Sequence, residues 1–479
     1  MSDSTVPTLA VAAIPVGLLL VSMIVMIAVS GASSVQTYSP WLLLGTALTA
    51  FLLTRFTTSR PMRLIALGLG KSARQILPAI PLLALIGMLS TTWMLSGVVP
   101  YLINAGIGML DPSWFLVVTC GVCALVSVLS GSSWTTIATI GVAFIGIGRV
   151  MGVSEAWVAG AIISGAYFGD KVSPLSDTTV LAASSCGISM FRHIRFTMLT
   201  TVPAMLIALA VFAVAGFLSK PLAGGPEGAD ICAALKSTFS LTPWVMVIPA
   251  LTVMLLVLRV PTLITLTVGA VAGLVGIWVF QPEIAAEIAG GAGWFVTALG
   301  IAASGAELST GHELLDSLVE TSGIAGMFST MLLVVSAMIF GGIMIGTGML
   351  GRLTRSFTRM LRRPGSLVGA TVASGLFLNS CTGDQYLSII IGGNIYRSSY
   401  RRHNLADEML SRTLEDSVSV TSPLIPWNSC GMTQAAVLGV ATPIYLPFCI
   451  FNIMSPVLSV VYDWTVFIIR RRHRKCEDL

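Results

Sequence analysis

An all-α polytopic membrane protein is the fold class this sequence predicts, with about 11–13 transmembrane helices in two repeats whose helices break inside the membrane. Three observations carry the prediction. The composition is 55% hydrophobic and only 10% charged, long charge-free runs follow one another along the chain, and three short motifs recur in the same order about 250 positions apart.

The composition, with a mean hydropathy of +0.90, excludes a soluble domain, in which roughly a quarter of residues are charged. The charge-free runs are Leu9 to Thr54, Ile76 to Leu110, Pro112 to Gly148, Phe196 to Ser219, Thr321 to Gly351 and Ser417 to Tyr462. A helix needs roughly 20 residues to cross a hydrocarbon core, so each run holds at least one span. No basic residue precedes the run that begins near Leu9, and no small-residue cleavage pattern follows it, so it reads as a first span and not as a removable leader.

Lys and Arg gather in Arg55 to Arg74, Arg352 to Arg363, Arg397 to Arg412 and Arg470 to Lys475. The positive-inside rule makes these stretches, and with them both termini, cytoplasmic, in a cell inner membrane. Val260 to Gly351 has no Lys or Arg but carries Glu283, Glu287, Glu307, Glu313, Asp316 and Glu320, so it is expected to face the exterior. The net charge of +5 is therefore a topology signal, and no nucleic-acid partner is expected. Of eight cysteines only Cys120 and Cys123 lie close together, with no second pair and no nearby His. They read as packed thiols, not as a metal clip or a disulfide framework.

The recurrence begins with a glycine-bearing helix, Met94-Leu95-Ser96-Gly97, answered by Ile345-Gly346-Thr347-Gly348. A small-polar tip follows, Leu129-Ser130-Gly131-Ser132-Ser133 against Leu378-Asn379-Ser380-Cys381-Thr382. The third element runs from Asp170 to Ser185-Cys186-Gly187 and from Asp416 to Ser429-Cys430-Gly431, the offset drifting from 251 to 244. The chain then divides into N-terminal helices over 1–75, a first repeat over 76–218, a linker with connecting helices over 219–325, a second repeat over 326–460 and a basic tail over 461–479. Ser219 to Thr242 is the expected joint between halves. Duplicated halves with interrupted hydrophobic segments at matching places point to a secondary transporter. Pro112 to Gly148 is too long for one upright helix and should break at Ser130 to Ser133, beside Thr135-Thr136; Asn379 to Gln385 invites the same reading. Irregular backbone at that depth persists only where it lines protein or a hydrated cavity.

Five acidic residues stand beside such breaks: Asp170, Asp177, Asp384, Glu415 and Asp416. Carboxylates inside a membrane are costly unless paired or facing a cavity, which makes them functional candidates. In Gly169-Asp170-Lys171-Val172-Ser173-Pro174-Leu175-Ser176-Asp177-Thr178-Thr179, Pro174 withholds a backbone donor and bends Ser173 out of helical geometry, freeing carbonyls. Carboxylates, hydroxyls and carbonyls are the hard oxygens a small cation prefers. The expected sodium ligands are Asp170, Asp177 and Asp416, with Glu415 and Asp384 also holding ions. Lys171, Ser173, Ser176, Thr178, Ser132, Thr136, Asn379, Thr382, Ser417 and Asn428 support them. Lys171 is expected to neutralise Asp170 when no cation is bound. In the second half, Leu414-Glu415-Asp416 through Ser422-Pro423 repeats the ingredients. Adjacent carboxylates in a low dielectric resist ionising together, so a proton competes with sodium for the same oxygens. No cofactor beyond the transported Na+ and H+ is required, and the chain is not expected to be an enzyme.

These residues carry a resemblance. Thr92-Trp93-Met94-Leu95-Ser96-Gly97-Val98-Val99-Pro100, the Gly169 to Thr179 string, and Leu414-Glu415-Asp416 through Ser422-Pro423 with Pro426-Trp427-Asn428 resemble the NhaC family of sodium/proton antiporters, in the wider ion transporter superfamily. The resemblance spans both halves. It implies inverted repeats with two re-entrant hairpins, a transport unit that moves against a scaffold, and assembly as a homodimer in the lipid bilayer. The family also includes malate/lactate exchangers, which leaves Na+- and H+-coupled exchange of small organic acids as the alternative function. No arginine at either tip counts against that alternative. A membrane-embedded enzyme, the third reading, finds no nucleophile, metal cluster or cofactor motif.

Overall fold

A computed structural model describes residues 7–109, 111–218, 233–306, 308, 316, 319–359 and 364–477. Among the described residues every regular element is helical, as lipid demands of a chain that must satisfy its own backbone polar groups. The expected joint falls mostly on 219–232, outside the described residues, as do Glu307 and Glu313. Among the described residues seven helices are long and apolar enough to span a membrane, and two bent pairs raise that to nine. The bent pairs are Pro282–Ala289 with Trp294–Ser304, at 88°, and Thr442–Phe448 with Ile450–Trp464, at 58°. Shorter apolar helices include Phe115–Ser130, Pro243–Val257 and Leu367–Thr382. Short hairpin arms such as Phe115–Ser130 and Leu367–Thr382, together with the broken helices, keep the count below the expected about 11–13.

The side chains sort as a lipid solvent dictates. Val29, Ile24, Leu206 and Val279 are 79%, 66%, 62% and 62% exposed, while Ser, Thr and Gly turn inward. Two packed cores result. One joins Leu19, Leu43 and Ala47 of the first two helices to Leu333, Phe340 and Met344 of Phe328–Gly346. The other, larger core gathers Trp93, Phe115, Ile162, Phe212, Ile277 and Phe451. Without a hydrophobic drive between helices, small residues let backbones meet. A Cβ on Gly165 or Gly169 of Glu155–Val172 would strike the Cys120 or Ala124 carbonyl of Phe115–Ser130. Ser127 Oγ donates to Ala166 O at 2.6 Å and Ser173 Oγ to Val128 O at 2.8 Å, completing that seam.

Each half contains a helical hairpin and a broken helix. The first hairpin is Phe115–Ser130 followed by Ser133–Val150; its second arm carries a π turn at Ile137–Gly141. The first broken helix is Glu155–Val172, a break over 173–176, and Asp177–Cys186. The second hairpin is Pro364–Thr382 and Gln385–Arg402. The second broken helix is Asp407–Leu414 running into a π turn at Glu415–Ser419, then a break, then Ser429–Leu438.

A recurrence between the halves is visible in backbone detail, in a register different from the one the motifs suggest. Left-handed residues fall at Gly131 and Gly383, Gly152 and Asn404, and Gly187 and Gly439, each pair 252 positions apart. Gly97 and Gly348, also left-handed, are 251 apart and fit the first motif pair. The other two motif pairs are corrected. Ser130, Gly131 and Ser132 correspond to Thr382, Gly383 and Asp384, not to a string beginning at Leu378. Ser185-Cys186-Gly187 closes its half-helix, whereas Ser429-Cys430-Gly431 opens one, so that shared tripeptide is coincidental. The offset is 251 at the first pair and 252 at the other three.

Candidate functional site

Both hairpin tips turn in the same way. Ser130 and Thr382 end the first arms, and a left-handed glycine follows at φ +69° or +67°. Ser132 and Asp384, at φ −145° and −146°, then cap the second arms. Ser132 Oγ accepts from Thr135 N at 3.2 Å, and Asp384 Oδ1 accepts from Leu387 N at 2.8 Å. Thr136 Oγ1 donates to Ser132 O at 2.9 Å, and Ser388 Oγ donates to Asp384 O at 2.9 Å. At the broken helices, Ser176 Oγ receives Thr179 N at 3.4 Å and Asn428 Oδ1 receives Cys430 N at 3.0 Å. Ser176 Oγ also lies 2.9 Å from Thr178 Oγ1.

The tips dock on the breaks. In the first half, Ser133 donates to Asp170 Oδ2 from its hydroxyl at 2.6 Å and from its backbone N–H at 3.2 Å. In the second half, Asn428 Nδ2 donates to Asn379 Oδ1 at 2.8 Å, Asn379 Nδ2 donates to Val418 O at 2.9 Å, and Ser429 N donates to Gly383 O at 2.8 Å. Trp427 Nε1 donates to Ser380 O at 2.7 Å. Thr382 Oγ1 donates to Asp384 O at 2.9 Å, and Ser417 Oγ to Thr413 O at 2.6 Å.

Where the four interruptions meet there is a cavity of about 540 Å³. Ser132 and Asp384 reach it from the tips, Asp170, Asp177 and Thr178 from the first broken helix, and Ser429 from the second. Asp170 and Asp384 are buried, 8% and 3% exposed, while Asp177 stands open to the cavity. Each carboxylate lies at a helix N-terminus: Asp170 against that of Ser133–Val150, Asp177 and Asp384 at their own. Such ends favour negative charge. Of the opposing C-terminal ends, that of Phe115–Ser130 borders the cavity through Ser130. Arg259, from the turn before Thr262–Phe280, is the cation in the lining. Three carboxylates against one guanidinium leave a cavity suited to a cation.

Not every expected ligand reaches it. Among the described residues no three His, Cys, Asp or Glu side chains converge as metal ligands. Asp416 and Glu415 are fully buried but do not line the cavity. Lys171 turns away from Asp170, its chain neighbour, and forms a buried ion pair with Asp416. Ser455 Oγ bridges them, 2.8 Å from Lys171 Nζ and 2.6 Å from Asp416 Oδ1, and Thr200 Oγ1 donates to Asp416 Oδ2 at 3.1 Å. Arg412 pairs with Asp463, with its Nε 3.8 Å from Asp416. Its guanidinium lies between the rings of Phe196 and Tyr462, each 5.1 Å away. Glu415 faces His193 at 3.8 Å. Lys171 and Arg412 thus balance Asp416 and Asp463 in a buried cluster outside the cavity lining.

Sequence reading missed Ser133, Gln385, Tyr386, Trp134 and Arg259. Ser133 stood inside the recognised tip, and its place just after a left-handed glycine and a cap residue was the available signal. Arg259 had none, because its loop is distant from every motif.

The sequence profile of the Na+/H+ antiporter family matches residues 4–201 and 165–466. The NhaC Na+/H+ antiporter of Alkalihalophilus pseudofirmus is 39% identical over 80% of this chain and 81% of its own, and the NhaC of Bacillus subtilis is 36% identical over 84% and 87%. A malate-2H+/Na+-lactate antiporter of B. subtilis is 33% identical over 81% of each chain. With a profile covering nearly its whole length and relatives 36–39% identical over 80% or more of the chain, the chain belongs to the NhaC family of Na+/H+ antiporters.

Proposed function

We propose that this protein exchanges Na+ for H+ across the cytoplasmic membrane, with both ions competing for Asp170, Asp177 and Asp384 in the central cavity. The observation that carries this reading is that three carboxylates, contributed by both halves, line one cavity bordered by helix ends. Thr178, Ser132 and the carbonyls at the tips and breaks supply further oxygens. Asp416 and Glu415, expected as ligands, take a different part: Asp416 fixes Lys171, and through it the position of Asp170. An inverted arrangement of the halves is supported by the surroundings of the two half-helix ends. Gly187 abuts Arg397, within a basic stretch, while Gly439 abuts Arg149, which pairs with Glu155. On the positive-inside reading the large cavity then opens to the cytoplasm, where Arg259 and the chain following Arg55 to Arg74 border it. In everted vesicles, sodium should collapse an acid-inside proton gradient, and Asp170→Asn should abolish the response. Absence of a sodium response at any pH in the unsubstituted protein refutes the proposal.

Arg259 and the cavity's volume favour a second reading, exchange of a small organic acid coupled to Na+ and H+. A guanidinium beside a sodium-loaded carboxylate cluster can hold a substrate carboxylate. Labelled lactate or malate uptake into proteoliposomes, compared with sodium flux in the same vesicles, decides between the two.

A further inference from the structure

A second, smaller cavity of about 180 Å³ lies elsewhere in the same helices. Its walls include Gly87 and Thr91 of Ala79–Leu95, Gly146 and Arg149 of the first hairpin's second arm, and Ala436 and Gly439 at the end of Ser429–Leu438. The same three elements border the large cavity, through Leu82, Trp134 and Ser429. Each therefore runs from one cavity to the other. At 1.5 Å per residue, the step from Trp134 to Val142 is about 12 Å, and that from Ser429 to Ala436 about 10 Å.

Between the cavities the three elements pack on one another. Leu83, Ile137, Ala138, Met432, Thr433 and Gln434 fill the gap, none more than 3% exposed. The septum is neither fully apolar nor regular. Ile137–Gly141 is a π turn, a distortion that collects at functional sites. Gln434 Nε2 donates to Tyr167 OH at 3.2 Å, while its carbonyl oxygen has no hydrogen-bond partner. At the far mouth, Arg149 is held by Glu155 at 2.7 Å, and Glu320 adds a second acid. The mouth is thus weakly acidic, and much of its wall is Gly, Ala or Ser, which leaves room for a hydrated ion.

We propose that the smaller cavity is the ion entrance from the membrane face opposite the large cavity, closed here by the Ile137–Gly141 and Met432–Gln434 septum. The assignment deepens the antiport reading by naming its second access route, and it is tested by water access and not by flux. Ser90→Cys and Ala436→Cys, in the small cavity, are treated with a membrane-impermeant cationic methanethiosulfonate in right-side-out and everted vesicles. Both should react from the outer face only, and Leu82→Cys, in the large cavity, from the cytoplasmic face only. The unsubstituted chain sets the background, since its described cysteines are buried, and Leu206→Cys on the lipid face should stay unmodified. The inference is overturned if Ser90→Cys and Ala436→Cys react only from the cytoplasmic face. It is equally overturned if both stay sealed while the denatured proteins react fully. Sodium-driven proton movement by the unsubstituted chain, measured in the same vesicles, shows separately whether the antiport reading stands.

Discussion

Gly131 and Gly383 occupy equivalent corners of the two hairpins, so replacing each by alanine measures what the surroundings add to an identical backbone. Their φ angles, +69° and +67°, cost an L-residue about 1–2 kcal/mol at either position. The neighbours differ. A Cβ on Gly131 would lie 2.6 Å from Leu175 Cβ and 2.7 Å from the Leu175 carbonyl carbon, in the break of the first broken helix. On Gly383 it would lie 3.2 Å from Ala337 Cβ and 3.4 Å from Trp427 O. Backbone cannot step aside as a side-chain end can, so Gly131→Ala should add an overpacking cost of about 1–3 kcal/mol that Gly383→Ala largely avoids. The expected losses are about 2–5 kcal/mol for Gly131→Ala and about 1–2 kcal/mol for Gly383→Ala. Equilibrium unfolding in mixed micelles reads the difference. Because the first tip also carries Ser133 against Asp170, Gly131→Ala should weaken apparent sodium affinity in flux assays. Equal destabilisation of the two variants, or a neutral Gly131→Ala, would refute the docking of the first tip on the first break.

Ser133→Ala removes the 2.6 Å hydroxyl bond to Asp170 while leaving the amide contact; a bond to a charged group is worth about 1.5–3 kcal/mol, so apparent sodium affinity should change by about tenfold or more, read from the sodium dependence of proton flux. Lys171→Met strands Asp416 without its buried partner and should cost about 3–5 kcal/mol of stability, whereas the double variant Lys171→Met, Asp416→Leu should recover most of that loss on unfolding. Arg149→Ala breaks a pair whose side chains are 29% and 42% exposed, so its stability change should stay under about 1 kcal/mol.

What could be read ahead of the structure follows from which physical signals are local. Charge-free runs and proline-bearing, hydroxyl-rich breaks announce themselves along the chain, and Asp170, Asp177 and Asp384 were found because a carboxylate in apolar sequence is costly wherever the chain folds. Backbone handedness is not local in that way. Gly152 and Asn404 share a left-handed conformation with different side chains, so string comparison passes over them and settles on Ser-Cys-Gly, whose identity has no conformational basis. Side-chain direction was the second blind spot. Asp170 and Lys171 are consecutive, yet Asp170 meets Ser133 of the hairpin tip and Lys171 meets Asp416; helical geometry turns neighbours about 100° apart, and only the packed partners decide which one faces the cavity.

That divergence has a mechanical consequence. Asp170 and Lys171 share one helix end, so the hold of Asp416 on Lys171 and the hold of Ser133 on Asp170 act on the same turn from directions about 100° apart. Asp416 belongs to the π turn of the second broken helix and Ser133 to the first hairpin. The last turn of Glu155–Val172 is thereby clamped between the two halves of the molecule. On the proposed function, a proton or cation at Asp170 would alter one jaw of the clamp and leave the buried Lys171–Asp416 pair, the other jaw, in place. If Asp170 is the ion site proposed above, its loading is expected to reach the interface between the halves through this single helical turn.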